Sequence, residues 1–505
     1  MNEDFVEKAQ YDATEDVETS SASLQVVRMK QKVLRLLGAA GVETDGIDRV
    51  PEDEREDTHG LGMFTIWMSG LISLTAIPFG MLGQQSFTLT VDHTIATALG
   101  FIIIGCACAG FIATLGPQLG MRTMIITRYS FGYWGGAIIA LLNVVTQMGF
   151  SVIAIILAGQ VLYNLNSNLP LVVGVVITSY NVCISTTIFE DILTSFQLLH
   201  HYERYAWLVM IAIFIMMLSL GGKAGYDFNA QKSLEDPAGL LRASDVLSYG
   251  AIMFSAPASL APMCADYNCR LPPKTSKTKV FMLTFFGVLI GMMIITILGA
   301  LLMAVPSYSD AYIAGGPAMV LSKVFEPWKA GGDFILVLIT LSAVGNNIPN
   351  TYSTALSMQA LLPPFRQVPR PFWVIITFAM YTAIGVAGRE HIVDILNNFL
   401  SIATFWFIIV FEEHMIFRRK HGLLGGYDVE VYDTPSKLPI GIAAIVTSCC
   451  SVAGAVVGMA QIWYVGPIAA KFGGFGGDVG FELAGAFAAV LYPGLRYLEI
   501  KRFGI

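Results

Sequence analysis

Charge is what this sequence has least of. Of its 505 residues only 13% are Asp, Glu, Lys or Arg, 55% are hydrophobic, and the mean hydropathy is +0.63. Soluble domains carry about 25% charged residues. A chain this poor in charge cannot clothe itself in a solvated surface, which excludes a soluble globular domain and leaves an all-α polytopic membrane protein. Runs of basic residues are missing as well. The formal net charge is −7, much of it from the N-terminal tail, so no nucleic-acid partner is expected. Cysteine is scarce: seven residues (Cys106, Cys108, Cys183, Cys264, Cys269, Cys449 and Cys450), none in CxxC spacing, read as small apolar residues and not as a zinc site. No nucleophile–histidine–acid set, phosphate loop or metal box is present, so neither an enzyme nor a cofactor is expected. The first apolar stretch starts only near Gly60, which predicts no cleavable signal peptide.

What is present centres on Asp333–Leu362, DFILVLITLSAVGNNIPNTYSTALSMQALL. The stretch exceeds the roughly 20 residues needed to cross a bilayer. Its middle holds Asn346, Asn347, Pro349 and Asn350, and no residue from Phe334 to Pro364 is charged. At about 100° per residue, Ser342, Asn346, Asn350, Ser353 and Ser357 fall on one helical stripe with Asn347 beside it. Amides are costly in lipid unless they face protein or water. Pro349 removes one backbone donor and predicts a break, which is tolerated only beside a cavity or neighbouring protein. Interhelical packing would also use such groups. Three Asn and a Pro within five residues favour a binding site.

Twelve spans are expected: about 61–83, 93–115, 133–162, 169–189, 203–220, 246–264, 280–303, 334–362, 371–388, 391–411, 439–460 and 482–499. The third and eighth are long. Residues 1–58 read as a largely disordered N-terminal tail, with a short amphipathic helix at 26–41 and a solvated charge collar at 51–57. Residues 59–411 form the core, 412–500 hold helices 11 and 12, and 501–505 form a short C-terminus. Most of the 30 Lys and Arg fall on the tails and on alternate loops, so both termini are expected in the cytosol.

The first span carries Pro78 and Gly80, and the sixth, five spans later, Pro257 and Pro262. Matching interruptions in two halves point to a 5+5 inverted repeat (61–220 and 246–411) with two helices appended. A solute site would then lie between the broken spans and the long third and eighth. Polar groups are available there: Thr65, Ser69 and Ser73; Asn143 and Gln147, one turn apart, with Ser151; and Ser248, Ser255 and Ser259. Amides and hydroxyls without charge suit a neutral, planar, hydrogen-bonding solute. Ionisable groups are peripheral, and the candidates for proton coupling are Glu190, Asp191, Asp266, Asp333 and Asp394.

Several segments are familiar in order and spacing: GVETDGIDRVPEDEREDT (41–58), FTIWMSG (64–70), IPFGMLG (77–83), RYSFGYWGG (128–136), ADY (265–267) and NNIPNTYS (346–353). Over residues 41–500 the chain resembles the fungal purine-cytosine permeases of the nucleobase:cation symporter-1 family. The resemblance implies a LeuT-like fold, a plasma-membrane location, and proton symport of cytosine and purines such as adenine, guanine and hypoxanthine, with H+ as the coupling ion. It also implies nucleobase binding by Asn346, Asn347, Pro349 and Asn350, joined by Ser69 and Asn143; Gln147 joins them on its own spacing. Three positions depart from the family pattern. Gly70 stands for Asn, Phe150 for Trp and Leu260 for Trp. Base–aromatic stacking is worth about 1–3 kcal/mol, so Phe150, Phe254 or Tyr249 must substitute, or the cargo is different. The alternatives are a same-fold importer of a vitamin such as pyridoxine or of another specialised heterocycle, and a solute sensor that does not transport.

Overall fold

The computed structural model of the protein describes residues 46–55, 61–166, 168–186, 196–229, 239–388, 402–419, 421–473 and 476–504. Two of its long apolar segments are each split into two helices. α1 (Gly62–Leu71) ends at Ile72, and α2 (Ile77–Gln85) resumes with Pro78 in its first turn. A 3-10 turn at Leu74–Ala76 lies between, and the halves meet at 64°. α3 (Val91–Leu119) and α4 (Thr123–Leu165) follow. Gly132, at φ 72°, separates a short leading helix of α4 from its long part, and only glycine takes that backbone geometry without strain. α5 (Leu171–Ile184) and α6 (Phe196–Ala224) complete the first half.

The second half repeats the pattern. α7 (Leu240–Ala258) stops just after Pro257, and α8 (Ala261–Cys264) restarts with Pro262 in its first turn. α9 (Lys277–Met303), α10 (Pro306–Phe325), α11 (Ala330–Leu361), α12 (Arg370–Gly388) and α13 (Ile402–Glu412) follow. α14 (Ile442–Gly458) and α15 (Gly480–Phe503) close the chain, joined through a two-residue hairpin, β1 (Ala460–Gln461) against β2 (Tyr464–Val465).

Three sequence expectations change. α11 runs unbroken through Pro349, so the expected backbone break is not there; the first span breaks where Ile72 and Ser73 leave helical geometry, and the sixth is interrupted at Ser259–Leu260 between Pro257 and Pro262. Among the described residues seven helices, or eight spans if the bent α1–α2 pair counts as one, are long and apolar enough to cross a membrane. That is short of twelve because α5 and α14 are short apolar helices and α15 carries charge; much of the tenth expected span lies outside the described residues. α10 lies between the expected seventh and eighth spans, where no element was expected.

The helices sort into two groups by packing. α1, α2, α3, α7 and α9 pack on one another, and α4, α5, α11 and α12 form the second group around the α4–α11 pair. Within the first group α9 is notched by glycines. A Cβ at Gly287 would lie 2.9 Å from the Phe64 carbonyl oxygen, and one at Gly299 would lie 2.6 Å from that of Ile77. Across the same contact, a Cβ at Gly80 would lie 2.3 Å from the Thr296 carbonyl oxygen. Both halves of the broken first span therefore sit backbone-to-backbone on α9. Part of the expected tail is folded too: Ile47, Val50 and Arg55 are buried, whereas Glu52–Glu54 are exposed as the collar reading expects. The amphipathic 26–41 segment lies outside the described residues.

A buried ionic knot joins the last helices. Glu413 accepts from Arg418 Nε (2.7 Å), Arg496 Nε (3.1 Å) and Tyr492 Oη (2.8 Å). Arg496 also binds Glu499, whose other oxygen receives the Gly441 and Ile442 N–H groups at the start of α14. Removing one partner of such a knot strands charge in a low dielectric, at a cost of about 3–5 kcal/mol. Arg496→Ala is therefore expected to lower the thermal unfolding midpoint of the detergent-solubilised protein and its surface level, read by fluorescence-detected chromatography and surface labelling.

Candidate functional site

The two breaks leave backbone groups without helical partners, and side chains of α11 and α4 meet them. At the first break, Ile72 has ψ 73° and Ser73 is extended. Ser342 Oγ accepts the Leu74 N–H at 3.0 Å. One turn on, the Asn346 amide donates to the Gly70 carbonyl and accepts from Thr75 Oγ1 at 2.8 Å. At the second break, Gln147 Nε2 donates to the Ser259 carbonyl at 3.2 Å. Gln147 also donates to Asn143 Oδ1 (3.2 Å), and Asn143 Nδ2 donates to Ser357 Oγ (2.8 Å) and Ser353 Oγ (3.3 Å). Asn350 Nδ2 donates to Asn347 Oδ1 at 3.2 Å.

The structure thus joins Asn346 to the first break, Gln147 to the second, and Asn143 to α11. The expected stripe of Ser342, Asn346, Asn350, Ser353 and Ser357 is used along its length. Within this network of α4 and α11 amides, two buried polar atoms remain without a hydrogen-bond partner: the acceptor Gln147 Oε1 and the donor Asn347 Nδ2. Ser69, Asn346 and Pro349 are half-buried. Beside them a Cβ at Gly70 would meet no atom within 4 Å, so there is open space at the first break. Leu260 is half-buried at the second break.

Other expected groups lie elsewhere. Thr65 bonds back to its own helix at Gly62, and Ser248 accepts the Asp478 N–H from the α14–α15 connection. Phe254 is stacked on Phe481 with centroids 4.3 Å apart, and Tyr249 is buried with its hydroxyl on the Phe79 carbonyl. Neither is free to stack on a solute. Phe150 is half-buried and lies seven residues, two turns, from Asn143 on the same helical face.

Next to the Asn347–Asn350 pair, around Tyr352, lies a cluster of rings and cations that the sequence reading did not assemble. Trp67 meets Tyr267 edge-on at 5.8 Å, and Tyr267 meets Tyr352 at 5.8 Å. Arg370 and Arg122 lie over the Tyr352 ring at 4.8 and 5.7 Å. Asp266 anchors the corner, accepting the Thr123 N–H at 2.7 Å, while Arg122 donates to the Asp266 carbonyl at 2.7 Å. Burial raises the Asp266 pKa to about 6, against the lowering influence of Arg122 and of the Thr123 hydrogen bonds. Of the other coupling candidates, Asp333 stands in the first turn of α11, and Glu190, Asp191 and Asp394 lie outside the described residues. Among the described residues no group of three or more His, Cys, Asp or Glu could hold a metal ion.

The sequence profile of a family described as permeases for cytosine/purines, uracil, thiamine and allantoin matches residues 49–411. The chain belongs to this family. A purine-cytosine permease of Emericella nidulans is 33% identical over 482 residues, 94% of this chain and 92% of that one. A vitamin B6 transporter of Saccharomyces cerevisiae is 31% identical over 548 aligned positions, 97% and 93% of the two chains. The structure of Mhp1, a nucleobase-cation-symport-1 family transporter in a closed conformation with bromovinylhydantoin bound, superposes with a TM-score of 0.66 at 15% identity, covering 91% of this permease and 96% of Mhp1. The fold of the permease is therefore the LeuT-like one, which the family resemblance implied.

Asp266 gives this site a measurable pH signature. Because burial raises its pKa, the folded permease holds this proton more tightly than the unfolded chain does. The residue's contribution is full below the ordinary value of 3.8 and is lost as pH rises through about 6. In thermal-stability profiles, the wild-type-minus-Asp266→Asn difference is expected to fall between pH 4 and 6; a flat difference would show that burial does not set this proton's affinity.

Proposed function

We propose that the permease is a plasma-membrane secondary transporter, with both termini cytosolic, that imports a neutral planar heterocycle by alternating access. The favoured cargo is a nucleobase, cytosine or a purine such as adenine, guanine or hypoxanthine, taken up with a proton. The observation that carries this reading is the pair of buried, unsatisfied amide atoms, one acceptor (Gln147 Oε1) and one donor (Asn347 Nδ2), beside the two breaks. A buried polar atom left unpaired costs about 1–3 kcal/mol. A ring edge carrying both a donor and an acceptor, as the lactam and amidine edges of nucleobases do, would relieve both. No charged side chain takes part in the network, which suits an uncharged solute. Asn346 and Asn350 would fix the rest of the α11 face, Pro349 would shape the wall, and Ser69 and Asn143 would complete the pocket.

Proton coupling is supported by the burial of Asp266, which raises its pKa, beside Arg122 in the ring and cation cluster around Tyr352. An inward-negative potential adds about 2.3 kcal/mol per charge per 100 mV to the driving force. No cofactor or nucleic-acid partner is invoked; the surroundings are the lipid bilayer. A second reading, import of a vitamin such as pyridoxine, is favoured by the open space at Gly70 and by Leu260 at the second break, together with the vitamin B6 transporter among the relatives.

The test is uptake of radiolabelled cytosine, adenine and pyridoxine by cells lacking their own permeases, at acid and neutral pH. Saturable nucleobase uptake, faster at acid pH, is expected. Pyridoxine uptake alone would select the second reading, and no uptake of any of them by protein shown to reach the surface would overturn both. In whichever assay is positive, Asn347→Ala at normal surface level is expected to cut uptake at least about 10-fold, the equivalent of about 1.4 kcal/mol.

A further inference from the structure

The connection between α13 and α14 packs against the start of α4. Tyr129 Oη donates to the Asp428 carbonyl at 2.7 Å, and a Cβ at Gly132 would lie 2.3 Å from the Pro439 carbonyl oxygen. Between the connection, α4 and the end of α15 lies a cavity of about 390 Å³, lined by Tyr129, Arg418, Gly425, Gly426, Asp428 and Lys437, with Gly504 at the end of α15. Sites for small molecules measure roughly 300–1,000 Å³. This cavity is separate from the solute site, since Asn143 stands 14 residues beyond Tyr129 on α4, roughly 20 Å at the rise of a helix. Two helix ends fix its depth. Ile440 and Ile442 are exposed where α14 begins, and Leu498 and Phe503 are exposed where α15 ends. Apolar side chains bared in this way face lipid. Lys501 and Arg502 stand in the last turn of α15, and cations at a helix end mark the headgroup layer. The cavity therefore lies at the depth of lipid phosphates.

Its lining carries both signs of charge. Arg418 is held in place on three sides: Nε donates to Glu413 at 2.7 Å, Nη2 to the Tyr129 carbonyl at 3.1 Å and Nη1 to the Gly426 carbonyl at 3.3 Å. The Tyr129 and Tyr427 rings flank it at 5.0 and 5.2 Å. Those bonds use three of the five N–H groups of a guanidinium. In the ionic knot Glu413 and Glu499 answer Arg418 and Arg496, so the knot leaves no net charge. Lys437 and Asp428 are exposed, and among the described residues neither forms an ion pair; the Asp428 carboxylate accepts only the Glu430 N–H, at 3.1 Å. Gly425 and Gly426, at φ 66° and 138°, give the cavity a wall of bare backbone. A Cβ on either would meet no atom within 4 Å, so a ligand can approach the main chain closely.

We propose that this cavity binds the headgroup of a zwitterionic aminophospholipid, its phosphodiester on Lys437 and the remaining Arg418 N–H groups and its primary ammonium on Asp428. A purely anionic headgroup would find the same two cations but would be repelled by Asp428. Inorganic phosphate would lack both the ammonium and the acyl chains that keep a headgroup at this depth. The topology proposed above assigns the site to the cytosolic leaflet; nothing else in the proposal depends on it or on the identity of the transported solute.

The test is native mass spectrometry of the detergent-solubilised full chain, titrated with phosphatidylethanolamine, phosphatidylcholine or phosphatidylglycerol, and with inorganic phosphate as competitor. The first phosphatidylethanolamine is expected to bind more tightly than the first of either other lipid. Lys437→Gln is expected to weaken it by roughly 1.5- to 5-fold, the size of one exposed ion pair. Asp428→Asn is expected to weaken it by a similar factor while strengthening phosphatidylglycerol, a change of preference that general loosening of the loop does not produce. Equal unfolding midpoints of the three proteins in lipid-free detergent show that both variants fold. Equal phosphatidylethanolamine binding by all three proteins overturns the site. Phosphatidylglycerol or phosphatidylcholine binding as tightly as phosphatidylethanolamine to the wild type overturns the ammonium–Asp428 contact. Displacement of the lipid by an equal concentration of inorganic phosphate overturns the lipid as the source of the phosphate.

Discussion

A helix that stops inside a membrane must hand its unpaired backbone groups to something, because no water is there to take them. This protein breaks two spans, and each break is met by polar side chains one helix away: the Asn346 amide and the Ser342 hydroxyl at Gly70–Leu74, and the Gln147 amide at Ser259. The rest of the site follows from that pairing. The amides must lie on helices long enough to pass both breaks, which are α4 and α11. Those two helices must then pack on each other, and Asn143 with Ser353 and Ser357 ties them. The polar interior is first a solution to a backbone problem, and only its leftover atoms face a solute.

Much of this was legible because it is periodic or punctuated. Asn143 and Gln147 one turn apart, and the α11 stripe at the same spacing, are local patterns that a helix turns into a face. The prolines marked the broken spans, though not in the way first supposed. Pro78 and Pro262 sit in the first turn of the resumed helices, where the missing N–H is one that helix geometry would leave unpaired anyway. They announce the restart. Pro349 sits inside a helix that absorbs the lost bond, so a proline alone did not predict a break.

What was not legible depends on residues far apart in the chain. Arg122, the Asp266–Tyr267 pair, Tyr352 and Arg370 come from four separate segments, and no spacing rule links them. The same holds for Asp48 and Arg366, separated by 318 positions. The segment at 46–55 read as solvated because its charges dominate its composition. Its single buried cation, Arg55, is satisfied by carbonyls at the end of another helix, and nothing local announces them. α10 was missed because Pro306–Phe325 carries Asp310, Lys323 and the non-helical Gly315–Gly316 and so lacks a long apolar run.

The glycine notches of α9 bear on how forces pass through the molecule. With carbonyls of both α1 and α2 seated against α9 at Gly287 and Gly299, the 64° elbow between them is braced along its outer side, as a bent lever is braced when riveted to a straight bar. A braced elbow does not flex. The broken spans are joined to the α4–α11 pair instead by side-chain hydrogen bonds, from Ser342, Asn346 and Gln147, where rotamer changes rather than backbone shifts suffice for movement.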